Sequence, residues 1–553
     1  MPPATHTQTR IHTRIRRIRH AVCALAVLAA AHAAHAADGI AWKNASSNAD
    51  VDAAFAQAKA ESKPVFVYWG AKWCPPCNQV KATLFNRADF IERSKGFVPV
   101  YVDGDSPGAQ KLGARFRVSG YPTMLLFSAQ GTELTRLPGE VDPKAYTEVL
   151  TLGMNAKRPV KELLAQVRAG GAGGMRGTGG TGGIGGIGGT GGAGLTPADW
   201  RLLAFYSWEG DEQQVVPKAD VPAVLAQLAA ACPSAPADVA TRLRLKALVA
   251  AGDKAPARPD AAAAPAVLKL LRDPAAARTQ MDVLANSPVD LVHAVSAKGT
   301  LLRQRVLQAF DGTLKGFEAD TTLSRADRLS ALGARIDLAR IDAPKQAAPK
   351  LPPALPPELR ADLREQTARI DRETTDGYER QAVIPGAAYL LASGGLMNES
   401  DAMLKAGLAK SHSPYYLMSA LASNAKQRGD KAEALRWSEQ AFDKSEGPAT
   451  RLQWGAAHVK ALVEMAPADE ARIERAASQL FTEAAKAPDA FYERSGRSLQ
   501  RVGKQLQAWN KGGAHKATLA RLQAQLDTVC AALDPTEPNR ARCDALLKTP
   551  ASL

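Results

Sequence analysis

The chain is 553 residues long, 46% apolar, and carries 70 Lys and Arg against 55 Asp and Glu, a formal charge of +15. Five of the cations (Arg10, Arg14, Arg16, Arg17 and Arg19) sit in an acid-free N-terminal run, so the rest holds an excess of only about +10. No dense Lys/Arg block interleaved with aromatics occurs, so nucleic-acid binding has little support and is not expected. Beyond the N-terminus no stretch approaches the ~20 apolar residues of a membrane span.

The first element is a leader. Arg10 to Arg19 is basic, Ala21 to Ala34 is a short apolar core, and Ala34-His35-Ala36 is an A-x-A site, the pattern of a secretory signal peptide over residues 1–36. Cys23 opens the apolar core, where a lipoprotein cysteine would follow it, so it is expected to leave with the leader rather than carry lipid. Arg16-Arg17 lacks the rest of a twin-arginine motif, which favours the general export route. The expected compartment is the periplasm, with no stable membrane insertion.

Lys63 to Trp69 (KPVFVYW) reads as a buried strand, and Gly70-Ala71-Lys72 as a turn into Trp73-Cys74-Pro75-Pro76-Cys77. Two thiols two residues apart are the minimal unit for exchanging disulfides. Asn78 to Phe85 continues with helical spacing, Val80 and Leu84 on one face, so Cys74 is expected at a helix N-terminus. The unsatisfied N–H groups there favour an anion, which predicts a lowered thiol pKa and makes Cys74 the nucleophile. Cys77 is expected one turn into the helix and more shielded. Pro75 and Pro76 are tolerated because first-turn N–H groups lack intrahelical partners.

A strand over Phe97 to Val102 and a helix over Gly108 to Phe116 lead to Gly120-Tyr121-Pro122-Thr123, and an apolar strand runs on from Met124 to Phe127. This succession, from about Trp42 to Gly153, resembles the thioredoxin superfamily. The resemblance implies an α/β thioredoxin fold in which Pro122 is cis and faces the sulfurs. It also implies that Trp73, Tyr121, Pro122 and Thr123 shape a groove for an extended client segment. Thioredoxin proper has a buried aspartate six residues before the first cysteine and a lysine partner on the next strand; here Tyr68 and about Pro99 stand in their places. The chain is therefore closer to the periplasmic thioredoxin-like modules of thiol:disulfide interchange proteins. Whether it reduces, isomerises or oxidises is left open.

A zinc site is the competing reading of a CxxC, but there is no second CxxC, and His293, His412, His458 and His515 lie far away in sequence. No metal is expected. A structural bridge in an inactive domain is the other alternative.

Gly170 to Gly194 is almost entirely glycine with Thr, Ile and Ala, a composition that cannot bury enough apolar surface to order itself. It reads as a flexible tether spanning about 25 to 30 Å, which would let the redox module swing and fold independently of the C-terminal part of the chain. The remaining chain is Ala-, Leu- and Arg-rich with helical spacing, as at Val224, Leu225 and Leu228, and reads as all-α. Proline-rich breaks fall near Ala255 to Pro265 and at Pro349 to Pro357. Gly429 to Leu435 (GDKAEAL), then Trp437, Ala441 and Pro448, resembles the second helix of a tetratricopeptide repeat, with Tyr416 to Gln427 as its first helix.

Cys530 and Cys543 flank the turn-like Asp534-Pro535-Thr536-Glu537-Pro538 between two helical segments, so an oxidising compartment would bridge them. Cys232 is left over and reads as a buried structural thiol.

The expected order is a signal peptide (1–36), a thioredoxin-like domain (37–155), a short helix (156–169), the glycine linker (170–194), a helical region (195–348), a proline-rich break (349–357) and a helical, tetratricopeptide-like region (358–553). The expected activity is thiol:disulfide exchange on protein clients that carry disulfides. Cys74 attacks, Cys77 resolves, and no diffusible cofactor is required because the electrons reside in the dithiol. A membrane electron donor is implied for a reductase. The alternative is a helical scaffold protein whose redox module is subordinate or inactive.

Overall fold

The computed structural model describes residues 39–139, 142–173, 194–252, 259–343 and 354–548. The leader, most of the glycine linker and parts of both proline-rich breaks lie outside the described residues. In chain order the first elements are β1 (Lys43–Asn44), α1 (Asn48–Glu61), β2 (Val65–Gly70), α2 (Pro75–Val80), α3 (Ala88–Ser94), β3 (Val98–Asp103), α4 (Ala109–Phe116), β4 (Thr123–Phe127), β5 (Glu133–Leu137) and α5 (Pro143–Met154).

The five strands form one sheet in the order β1-β3-β2-β4-β5, with β1 and β2 parallel to β3, and β4 antiparallel to both β2 and β5. This is a thioredoxin-like α/β sheet. Residues alternate between its faces. Val65, Val67 and Trp69 of β2 pack with Val98, Val100, Val102, Leu125 and the apolar side of α1 and α4. Phe66 and Tyr68 point the other way into an aromatic cluster, with Tyr68 stacked on Tyr101 at 5.3 Å and edge-on to Phe85 at 4.9 Å. Both faces are covered, so β2 is buried at every position, which is why it reads as a continuous apolar run.

Register brings the site together. Trp69, at the exit of β2, pairs with Thr123, the first residue of β4, so the loop carrying the thiols and the loop carrying Tyr121-Pro122 leave adjacent strand ends. α1 is held by a capping box, in which Ser47 Oγ accepts from Asp50 N and the Asp50 carboxylate accepts from Ser47 N at 2.9 Å.

Among the described residues, every regular element after α5 is a helix. The expected short helix spans Val160–Gly173, and a large all-α region begins at Pro197. Its helices that matter for the site are α6 (Gly377–Ser393), α7 (Pro414–Arg428), α8 (Lys431–Lys444), α9 (Pro448–Met465), α10 (Glu470–Lys486), α11 (Glu493–Trp509) and α12 (Lys516–Ala531). α7 ends at Gly429, whose φ of 82° needs no Cβ, and Asp430 then caps α8 by accepting from Glu433 N at 2.9 Å. The two helices thereby form a hairpin, and Ala434, Leu435, Trp437, Ala441 and Phe442 of α8 are buried. A second core joins α9 to α12 through Leu452, Val459, Leu480, Leu499, Leu506 and Leu526. Cys530, the penultimate residue of α12, is bonded to Cys543 with a Cα–Cα distance of 5.7 Å, and both sulfurs are buried in that core.

A module swinging freely beside the helices was the expectation; the structure differs. Residues Trp42–Leu553 form one compact unit. The α/β sheet and the helical region share buried side chains, as where Trp73 meets Thr450 and Gln110 meets Asp489.

Candidate active site

The backbone turns sharply after β2. Cys74 N donates to Ala71 O at 3.3 Å, and the chain enters α2 with Cys74 as its N-cap and Pro75 and Pro76 in the first turn. Cys74 Sγ accepts from Cys77 N at 3.3 Å, taking a first-turn N–H that would otherwise lack a partner. The Asn78 amide donates to Lys72 O and to Cys74 O, each at 2.8 Å, and so fastens the loop from below. After Val80 the helix widens into a π-turn over Lys81–Phe85, where one continuous helix was expected. Cys74 and Cys77 are free thiols.

The Tyr121–Pro122 bond is cis. Two glycines let this loop close in. A Cβ on Gly104 would lie 2.0 Å from the Tyr121 hydroxyl, and one on Gly139 would lie 2.8 Å from Pro122 Cγ. Gln110 supports the loop, donating to Gly104 O at 2.8 Å and to the Tyr121 hydroxyl at 3.1 Å. Thr123 turns back, donating to Gly120 O at 3.0 Å. Trp73 meets Tyr121 edge-on at 5.9 Å. The residues named for the groove therefore adjoin one another.

What the sequence pattern did not reveal is the cover. Trp73 Nε1 donates to Thr450 Oγ1 of α9 at 2.7 Å and to Asp105 Oδ2 at 3.1 Å, while Thr450 donates to the other Asp105 oxygen at 2.5 Å. The Trp73 carbonyl accepts from Gln381 of α6 at 3.0 Å. Tyr416 of α7 stacks on the Trp73 indole at 5.7 Å, and Trp454 of α9 meets it edge-on at 5.0 Å. The Arg494 guanidinium of α11 sits 4.7 Å from the Trp73 ring centre and 5.0 Å from that of Tyr121. Beside it, Gln110 N donates to Asp489 Oδ2 at 2.7 Å, and Arg494 N donates to Gln110 Oε1 at 2.9 Å. No motif marks Gln381, Tyr416, Thr450, Trp454, Asp489 or Arg494, which lie hundreds of positions from the cysteines. The one local hint was an excess of aromatic residues at Tyr415, Tyr416 and Trp454 in otherwise alanine-rich helices.

The cover changes the electrostatics. Cys74 is 3% exposed and Cys77 0%, so the expected contrast in shielding is nearly absent. Burial pushes the Cys74 thiol well above its ordinary value; the contact with Cys77 adds to this, while the Cys77 backbone N–H and the Arg494 charge pull the other way. The expectation of a lowered Cys74 pKa is therefore overturned in this closed arrangement, because desolvation of the thiolate exceeds what one helix terminus returns. Burial likewise raises the Asp105 carboxyl to about 7. Tyr68, where thioredoxin proper has its aspartate, donates to Cys77 O at 3.4 Å. Cys232 lies apart as the C-cap of helix Val221–Ala231, buried, with its thiol also raised by burial.

Residues 51–153 match the thioredoxin-like domain family, and this part of the chain is a thioredoxin-like domain. Among curated proteins, the thiol:disulfide interchange protein DsbD of Klebsiella pneumoniae is 35% identical over 112 residues, covering 20% of this chain and 18% of that protein. The thiol:disulfide interchange protein DsbD 1 of Pseudomonas aeruginosa is 29% identical over 113 residues, covering 20% and 19%. The chain thus spans less than a fifth of the length of either relative. Of solved structures, a DsbH oxidoreductase is 20% identical, with a TM-score of 0.19, covering 22% of this chain and 89% of that one.

Proposed function

We propose that this protein is an exported thiol:disulfide oxidoreductase, a reductase or isomerase of protein disulfides, working through Cys74 and Cys77. The observation that carries the reading is the pair of free thiols at the N-terminus of α2, with Cys74 Sγ taking the Cys77 N–H, inside a thioredoxin-like fold. The similarity to thiol:disulfide interchange proteins supports it.

The Cys74 thiolate attacks one sulfur of a client disulfide. A Cys74–client disulfide forms, and the other client sulfur leaves as a thiolate that takes a proton. The Cys77 thiolate then attacks Cys74 Sγ, releasing the second client thiol and leaving Cys74–Cys77 oxidised. Two electrons and two protons pass to the client, and a dithiol donor restores the pair. Trp73, Tyr121, Pro122 and Thr123 border the path of the client, and the paired helices α7 to α10 suit a tetratricopeptide-like partner-binding region. Export to the periplasm rests on the N-terminal leader pattern, and a membrane-bound dithiol would serve as the electron donor.

The burial of both thiols favours a second reading, a helical interaction protein whose redox module is inactive. Replacing Cys77 with Ala keeps the attacking thiol and removes the resolving one. Expressed in the periplasm, Cys77→Ala protein is expected to accumulate in mixed disulfides through Cys74, identifiable by mass spectrometry. A reduced, accessible Cys74 that captures no client favours the second reading.

A further inference from the structure

The groove that a client would enter is filled by the chain's own helices. Four segments converge on it: Gln381 of α6, Tyr416 of α7, Thr450 and Trp454 of α9, and Arg494 of α11. Their chemistry resembles what an extended polypeptide would present. The Gln381 amide donates to the backbone carbonyl of Trp73, the residue before the attacking cysteine. Tyr416 and Trp454 cover the indole on its face and edge, as apolar client side chains would.

The contact is built rather than incidental. The Asp105 carboxylate receives its two donors from opposite sides, Trp73 and Thr450. Gly447, with φ of 88°, brings the start of α9 so close that a Cβ there would lie 2.6 Å from Asp105 Cβ. Gln110 is engaged by both Asp489 and Arg494. Its hydrogen bonds join polar groups that water satisfies when the faces part, whereas the Tyr416 and Trp454 rings on Trp73 give up apolar contact on opening. The contact differs in this mixed character from the aliphatic core that joins α9 to α12.

We propose that the helical face formed by Gln381, Tyr416, Thr450, Trp454 and Arg494 is an intramolecular competitor for the client groove, so that a disulfide-bearing segment engages Cys74 only by displacing it. This rests on the oxidoreductase reading. Displacement also switches the nucleophile on. While covered, Cys74 is desolvated and its thiol is held protonated. Once water returns, the desolvation is removed and the N-terminal position on α2 favours the thiolate.

The test uses the full-length, reduced protein. Thr450→Arg sets a long charged side chain against the Trp73 indole, and Thr450→Ser keeps the hydroxyl. Arg494→Ala weakens the opposite side of the same contact and serves as a second variant should the first misfold, with far-ultraviolet circular dichroism reporting the fold. The readouts are the alkylation rate of Cys74 by iodoacetamide, followed by mass spectrometry of its peptide, and the rate of insulin disulfide reduction. Loss of one polar contact from a closed equilibrium is expected to raise the alkylation rate about tenfold. Insulin reduction should rise in parallel, while Thr450→Ser stays near wild type. Equal Cys74 alkylation in wild type and in both folded opening variants overturns the competitor and leaves the oxidoreductase reading untouched. Freed Cys74 with no insulin reduction in any form overturns the oxidoreductase reading, and with it any competition for clients.

Discussion

Trp73 Nε1 donates to Thr450 Oγ1 at 2.7 Å, joining residues 377 positions apart. The same hydroxyl donates to Asp105, so one threonine satisfies two buried partners on the redox module. Thr450→Val keeps the shape and removes both links. It is expected to cost about 1 to 3 kcal/mol in urea unfolding, the range for orphaning buried polar groups. An unchanged midpoint would mean that water already serves these groups.

Asp105 gives that interface a pH dependence. Burial lifts its carboxyl to about 7 from an ordinary 3.8, helped by nearby Asp103 and opposed by the Thr450 and Trp73 hydrogen bonds. Tyr121 and Arg494 face it as well. A folded pKa above the unfolded one means that the native state binds more protons between these values. Stability should therefore fall as pH rises from about 4 to about 7 and level off above, by roughly 1.4 kcal/mol per unit of separation at most. Urea unfolding at pH 5 and pH 8 should show the decline in wild type and a flatter response in Asp105→Asn.

Cys530 and Cys543 close a loop across a separation of 13 residues at the end of the helical core. Replacing both with Ser is expected to lower stability by about 3 kcal/mol on the loop-entropy account. Peptide mapping of the purified protein without reductant should recover the two linked, and free thiols at both positions would remove the staple.

The packing also revises what proteolysis should yield. Trypsin acting at Arg176, inside the glycine-rich segment, is expected to leave two fragments. They should stay associated through gel filtration because Trp73, Gln110 and Asp105 are engaged by Thr450, Asp489 and Arg494. Separation of the fragments under native conditions would return the freely swinging module.

Much of the redox module was legible because its signals are local. The apolar run at Lys63 to Trp69 became Val65–Gly70, the stretch at Gly108 to Phe116 became Ala109–Phe116, and Met124 to Phe127 lies within Thr123–Phe127. The hairpin around Gly429 was equally plain, since a glycine at positive φ and an Asp cap mark its turn. The cover was not legible. Gln381, Thr450 and Arg494 are single polar residues on separate helices, and only tertiary packing brings them to Trp73. The expected lowering of the Cys74 pKa is missed for a related reason: a helix N-terminus is readable from sequence, whereas the burial that outweighs it appears only in the folded chain.

The most direct measurement is insulin disulfide reduction by the purified protein with dithiothreitol, alongside Cys74→Ser. The account predicts turnover above the dithiothreitol background that depends wholly on Cys74 and is faster in Thr450→Arg. Background rates in wild type, in Thr450→Arg and in Cys74→Ser alike would contradict it.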